Sequence, residues 1–245
     1  NTTILNIDFI ETTLYALVQR TDGVHIVSFE TAPASVDTGA TYLTHLDMKI
    51  NESSTGVSSS YNAGTNQTTI TIPYARYNDM QMVTRLVSGS SVVAGQIINI
   101  VSQSGTSIVV AGDYTASKFF IGEKYTFTYQ FSQQYVRTQT GESRTAIKEG
   151  RLQIRNWTVG YDNTGYFKVN ITPKGRSTTT ETFTGAIVGS GTVNGISLED
   201  GNYTFAVQSQ NDDLVITLTN DEYLPSAFIN AEWQGYFTQK SSSNT

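Results

Sequence analysis

The stretch KYTFTYQF, residues 124–131, and, after a polar gap, RLQIRNWTVGYDNTGYFKVNI, residues 151–171, decide the fold class. In the first, Tyr125, Phe127, Tyr129 and Phe131 alternate with Lys124, Thr126, Thr128 and Gln130. An aromatic face and a polar face at period two read as a half-buried strand. In the second, Leu152 and Ile154 share a face, and the apolar positions then change parity at Trp157, Val159 and Tyr161. A one-residue phase change inside a strand predicts a β-bulge or a sheet-to-sheet bend. Asp162-Asn163-Thr164-Gly165 is a turn signal leading into Phe167, Val169 and Ile171, which predicts a long hairpin.

The same period extends outward from this centre. Leu5, Ile7 and Phe9 alternate with Asn6 and Asp8. Residues 14–20 and 24–30 flank Thr21-Asp22-Gly23, so three antiparallel strands form a meander, part of a propeller blade or a sandwich edge. Segment 31–43 is looser and carries Pro33, and HLDMKI, residues 45–50, is a short strand or a link. Residues 51–66 hold no apolar period and are packed with Ser, Gly and Asn, the pattern of a long mobile loop or a domain boundary. Strands follow at 67–73, 82–88, 96–101 and 106–111, and later at 203–207, 214–220 and 227–237. Only 75–81 and 115–121 could hold a helical turn. The prediction is an all-β chain of antiparallel sheets.

Composition narrows the function. In 245 residues there are 15 Lys+Arg against 21 Asp+Glu, a net charge of -6, and charged residues make up 15%, against about 25% in ordinary soluble domains. Ser and Thr, 60 residues together, fill the deficit. There is no cysteine, which removes disulfides, thiolate metal sites and thiol nucleophiles. No run approaches the roughly 20 apolar residues of a membrane-spanning helix, and an acidic chain is a poor duplex gripper. The chain opens NTTILNIDF, without an initiator Met or a signal-peptide pattern, and enters a strand-like run at once, the expectation for a piece of a longer protein.

No catalytic pattern in the sequence is compelling. His25 and His45 are the only imidazole bases, and no Gly-x-Ser-x-Gly elbow accompanies them. The acidic pairs Glu199-Asp200, Asp212-Asp213 and Asp221-Glu222 lie between strands, where carboxylates cap turns. The Gly-rich run 189–195 fits no phosphate-loop spacing and joins no helix. No cofactor and no metal site is expected. Sequons such as that at Asn156 arise readily in a chain so rich in Asn and Thr. Tyr61, Tyr74, Tyr77, Tyr114 and Tyr166 sit near turns or on polar faces, where they could stack on sugars or anchor an interface. More informative is the concentration of basic residues. Arg137, Arg144, Lys148, Arg151 and Arg155 place five of the fifteen positive charges within 132–155. They are candidate contacts to an acidic neighbour or another subunit.

Residues 125–171 resemble the nozzle protein of short-tailed phages, the family also called tail tubular protein B, in its C-terminal portion. The likeness rests on a Tyr-rich strand, a polar loop, then Gly150, Arg151, Leu152 and Gln153, with Trp157, Tyr161 and Phe167 beyond. ILNIDFIETTLYALVQRTDGVHIVSFE is similar to that family's late propeller strands, and AFINAEWQGYFTQKSS to its closing strand, with Glu232, Trp233 and Gly235. The resemblance implies the end of a β-propeller-like region at 1–50, a small β unit with a mobile loop at 51–117, and a β-sandwich at 118–245. It also implies a virion component at the distal end of the tail: a homohexameric ring joined to tail adaptor and fibre proteins. Its activity would be mechanical, retaining DNA and opening for ejection without binding it tightly, and not enzymatic.

An acidic wall suits such a conduit, since cationic walls hold a polyanion through counterion release. Gating needs segments that deform at little cost, and 53–66, 132–148 and 174–181 lack apolar anchors. The alternatives are a carbohydrate-binding or adhesin-like module using the tyrosines, and a polysaccharide-cleaving enzyme using Glu199, Asp200, Asp212 and Asp213.

Overall fold

The computed structural model describes residues 3–21, 23–29, 43–85, 94–140, 143–147, 149–185 and 196–239. Every sheet among them is antiparallel, and the only helical turn is a 3-10 turn at Asn211–Asp213. Two units separate, Asn1–Leu43 and Thr44–Thr245.

The first unit is the expected meander: β1 (Thr3–Ile10), β2 (Thr13–Arg20) and β3 (Gly23–Phe29), with β2 in the middle. Glu11 turns the chain between β1 and β2 at φ 56°. Ala16 and Val18 on the central strand are buried, whereas Ile4, Leu5, Ile7, Phe9 and Ile26 stay exposed. One three-stranded sheet has no second layer with which to cover both of its faces.

In the second unit, β4 (Asp47–Asn51), β5 (Ser58–Asn62), β6 (Gln67–Thr71), β7 (Met80–Thr84), β8 (Ile97–Ile98), β9 (Ile100–Ser104), β10 (Ser107–Ala111) and β11 (Phe119–Glu123) form two four-stranded sheets. Their orders are β5-β6-β10-β9 and β4-β11-β7-β8. Between them lie Ile70, Ile72, Met80, Met82, Ile98, Ile108, Val110, Phe119 and Ile121. The pairing of β4 with β11 assigns HLDMKI to this body, so the contacts divide the chain at Leu43/Thr44 and not at residue 50. Segment 53–66 is no structureless loop. Its Ser58–Asn62 pairs residue by residue with β6. β5 is an edge strand whose side chains are mostly exposed, so serines serve where an apolar period would have revealed it.

Glu52 organises the outer side of this body. Its carboxylate accepts hydrogen bonds from Arg85 Nη2 and from the Phe119 N–H at 3.1 Å, with Lys118 Nζ at 3.3 Å. Arg85 and Lys49 also lie over the Phe120 ring at 5.7 and 5.6 Å. Burial pushes the Glu52 carboxyl up, but hydrogen bonds from its own backbone, Arg85, Phe119 and Lys118 outweigh that and hold it below the usual range. Glu123, also buried, accepts from the Tyr77 and Asn78 amides at 2.7 and 3.2 Å, pinning the turn before β7.

The chain then builds β12 (Phe127–Gln130), a hairpin of β13 (Arg137–Thr140) and β14 (Ser143–Ala146), β15 (Arg151–Thr164), β16 (Tyr166–Pro173), β17 (Thr179–Thr184), β18 (Glu199–Gln210), β19 (Leu214–Asn220) and β20 (Ala227–Thr238). Sheets β12-β19-β16-β17 and β18-β15-β20 face each other as a sandwich. Its core includes Leu152, Ile154, Trp157, Val159, Tyr161, Phe167, Val169, Ile171, Phe205 and Leu218. The phase change in β15 is a bulge: against β20 Arg155 is the extra residue between Ile154 and Asn156, and against β18 it stands across from two residues, Val207 and Gln208.

The expected 151–171 hairpin is a corner instead. β15 pairs with β18 and β20, and β16 with β17 and β19, so the turn, with Asn163 at φ 46°, carries the chain from one sheet to the other. Trp157, Val159 and Tyr161 must bury the same faces as Phe167, Val169 and Ile171. They do so by facing each other across the core rather than lying side by side.

The small body meets the sandwich through His45 N–H to Tyr223 O at 2.7 Å, Tyr223 Oη to Gly95 O, and Gln81 Nε2 to Glu222 Oε2 at 3.4 Å.

Replacing Glu52 by Gln leaves Arg85, whose side chain is 11% exposed, without its counter-charge. A loss of about 2–4 kcal/mol is expected in denaturant titrations at neutral pH. A depressed folded-state pKa contributes stability above the unfolded value of about 4.3 and loses it as pH falls through the lower folded value. The gap between wild type and Glu52→Gln should therefore close as pH drops below about 4.

Candidate functional site

The residues singled out from the sequence fall into two kinds of place. The motif residues converge on β15, β16 and β20. Leu152, Trp157, Tyr161 and Phe167 are buried in the sandwich core. Trp157 packs on Phe131 at 4.9 Å between ring centres, and Tyr161 on Phe167 at 5.9 Å. Gln153 and Glu232 are exposed, and Trp233 is half-buried opposite Trp157. Gly235 and Gly150 are glycines for a geometric reason. A Cβ on Gly235 would sit 2.3 Å from Gln153 O, and Gly150 has φ 148° with the Phe237 ring 2.5 Å from where its Cβ would be. These positions pack and pair strands, and none of them gathers reactive groups.

The basic residues lie at one end of the sandwich. Arg137 and Arg144 are exposed on the β13–β14 hairpin, opposite Ala146 and Gln139 respectively. Lys148 lies outside the described residues. Arg151 opens β15 opposite Thr238. Arg155, on the bulge, donates from Nη1 to Tyr236 Oη at 3.0 Å and lies over that ring at 6.0 Å. Among the described residues none of the four arginines forms an ion pair. The base of the hairpin, through Val136 and Ile147, shares a cleft of about 300 Å³ with Arg151, Asp212 and Phe237. Within segment 132–148, Arg137–Thr140 and Ser143–Ala146 pair as antiparallel strands in place of the expected loop, and 174–181 is a turn running into β17.

Carboxylates gather at the opposite end, where β15 meets the start of β18. Asp200 Oδ1 accepts the Asn163 N–H at 2.6 Å. A shared hydrogen bond with Asp200, and then its charge, raises the Asp162 carboxyl. The Asn163 amide and Asp162 lower that of Asp200. The other acidic pairs are occupied structurally: Asp213 with Lys174 at 3.2 Å, Asp221 with Lys168 at 2.6 Å, and Glu222 with Gln81. Hydrogen bonding from Lys168 lowers the Asp221 carboxyl. A glycosidase needs two carboxylates about 5–9.5 Å apart across a groove. Asp162 and Asp200 are instead in direct contact at a strand end.

His25 is half-buried on β3 opposite Val18, and His45 precedes β4. Among the described residues no three His, Asp or Glu are placed to hold a metal ion, and no helix is long and apolar enough to cross a membrane. The 189–195 run lies outside the described residues. Of the five tyrosines considered for stacking, only Tyr61 is largely exposed. Tyr74 donates to Met48 O at 2.7 Å, and burial pushes its hydroxyl pKa up. That leaves no platform of aligned tyrosines for a sugar.

Sequence reading did not foresee the open flank of the sandwich. There β12 and β20 are both edge strands, and between them runs a groove of about 480 Å³ lined by Phe127, Tyr129, Phe131, Leu218, Phe228 and Ile229. Phe127 and Tyr129, which alternation placed on a core-facing strand, are 40% and 51% exposed, and Ile229 is 68% exposed. The other flank is closed by Phe183 against Tyr203 at 5.8 Å, and by Tyr203 Oη to Glu181 at 3.0 Å.

Stacked antiparallel sheets, with the motif residues spent on packing and strand pairing, define an all-β protein. The chain belongs to the bacteriophage nozzle protein family, which it matches over residues 1–244. It is similar to the tail tubular protein gp12 of Escherichia phage T7, with 25% identity over 248 residues that cover 99% of this chain and 31% of that protein. The chain thus spans about a third of the length of this curated relative. It is a structural component of the phage virion tail, as the family resemblance in residues 125–171 implied.

Gly235→Ala is expected to destabilise the sandwich by about 2–3 kcal/mol, because β15 and β20 must part to admit the methyl group. Gly64→Ala meets only the tip of Asn62 at 3.2 Å and should stay within about 0.5 kcal/mol. Urea unfolding of the two variants checks the contrast.

Proposed function

We propose that the chain is wall material of a tail nozzle: several copies, six by resemblance, close a ring around the path of the genome, hold it before infection and open for ejection. The observation that carries this reading is the match to the nozzle family across residues 1–244. The role is mechanical and not enzymatic. The motif residues serve packing, and the carboxylates hold turns and lysines.

The charge pattern supports a conduit. The outward face of sheet β18-β15-β20 carries Thr158, Thr204, Asn202, Asn230 and Gln234 with one carboxylate, Glu232, so its middle offers a sliding polyanion no cation to hold. A net charge of -6 per chain, repeated around a ring, works in the same direction. The meander β1–β3 is read as the end of a propeller-like region, for its exposed apolar β1 needs a covering layer.

The arginines at the hairpin end are contacts to acidic neighbours, which by resemblance are the tail adaptor, the fibres or an adjacent copy. The β13–β14 hairpin is the moving element of the gate. A two-stranded ribbon is marginally stable by itself, and this one pairs with no further strand among the described residues. Its relocation costs few buried contacts.

Cryo-imaging of tails before and after genome release tests the reading. The chain should surround the bore in both states, with the hairpin displaced between them. A chain lying on the outside of the tail in both states contradicts the proposal.

A further inference from the structure

The ring reading leaves open which surface joins one copy to the next, and two strand edges bear on that question. β18 and β20 flank β15, each pairs antiparallel with it, and each is 12 residues long. They therefore run in the same direction at the two ends of one sheet. Among the described residues neither has a second neighbour. Long, unpaired edges recruit further strands unless Lys, Pro or brevity blocks them. Neither strand contains Lys, Arg or Pro, and β20 carries a single charge, Glu232.

We infer that β20 of one copy pairs with β18 of the next, and that the apolar groove beside β20 closes against the β17–β18 flank of that same neighbour. This inference rests on the ring reading and assigns its interface. The occupant is a second copy because the geometry is head-to-tail. The edge that needs a partner and an edge of matching length and direction sit on opposite flanks of the same body, and a heterologous contact of that kind closes into a ring by rotation about an axis along the strands. Pairing β20 with β18 is then parallel. In the other layer β12 meets β17, and because the strands of that sheet alternate in direction, this second pairing is antiparallel.

The dimensions suffice. Twelve residues extend about 40 Å. With about 10 Å of depth per layer and a second-layer edge, β12, of four residues, the flank offers roughly 530 Å² per partner, just above the roughly 1,000 Å² total of a specific interface. Exposed Ile229, Phe127 and Tyr129 supply apolar burial, and the backbone edges supply register.

The sequence offers a clean test because this chain has no cysteine. Ala206 on β18 and Gln234 on β20 are both exposed and both stand opposite Asn156, at one level on the two flanks. Within one copy they lie two strand spacings apart, about 9.6 Å, beyond the roughly 7 Å reach of a disulfide. Tails assembled from the full polypeptide carrying Ala206→Cys with Gln234→Cys are oxidised and run on a denaturing gel. A second set pairs Ala206→Cys with Glu232→Cys, one step along the strand.

The expected result is a ladder of covalent multimers of this chain ending at the ring size, with the monomer band lost. Intact tails that give only monomer, or that link this chain to a different tail protein, overturn the interface while leaving the ring standing. Failure to find rings at all overturns both. Ile229→Arg, a change at an exposed position, should leave the folded chain's circular dichroism unchanged and reduce ring yield. An unchanged ring yield contradicts the groove's part in the contact.

Discussion

The sandwich depends on one clamp, the buried face of β15 pressed against that of β16. Trp157 meets Phe131 from β12's end of the opposite sheet, and Tyr161 meets Phe167 and Phe183 at 5.9 and 4.6 Å. Phe167 in turn touches Phe183, Tyr203 and Phe228. A short aromatic series therefore ties together strands from both layers. Aromatic pairs add specificity of angle to large area burial, and that combination holds two sheets in one relative position. The bulge at Arg155 is what lets a single strand serve this clamp. It swaps the parity of β15, so that Leu152 and Ile154 face the core on one side of it and Trp157 and Val159 do so on the other.

Much of this was legible in the sequence wherever burial is one-sided. The parity change at Trp157 announced the bulge, because only an extra residue restores inward facing. Tyr125 to Phe131 announced a strand but not its place at an edge, since alternation reports that one face is apolar and says nothing of how completely it is covered. The corner at Asn163 read as a hairpin because a turn signal between two alternating runs looks the same whether the runs pair or face each other. β5 was invisible: an exposed edge strand of Ser58, Ser59 and Ser60 is held by backbone pairing to β6 and needs no apolar period. The candidate site was legible only in part. The arginines cluster in sequence and in space at the hairpin end, whereas the Asp162–Asp200 contact and the open groove join residues remote in the chain, which only topology brings together.

The functional picture follows from where this molecule places its chemistry. The half-buried carboxylate of Glu52 and the buried one of Glu123 fix turns, strands and a lysine–arginine pair. Amides and hydroxyls with one carboxylate, Glu232, cover the middle of the outward face of the β15 sheet, and further charge lies at its ends, arginines at one and Asp162 with Asp200 at the other. Rigid packing inside and, among the described residues, unpaired edges at the flanks are what the proposed ring segment requires.

Whether these sheets are wall segments of a ring can be read from the light-scattering mass of the particle formed by the purified polypeptide that carries them. The account requires a single species whose mass is a whole-number multiple of the chain's and holds steady across concentrations. A folded particle with the mass of one chain at every concentration, able to bind into tails only as a solitary copy, would contradict it.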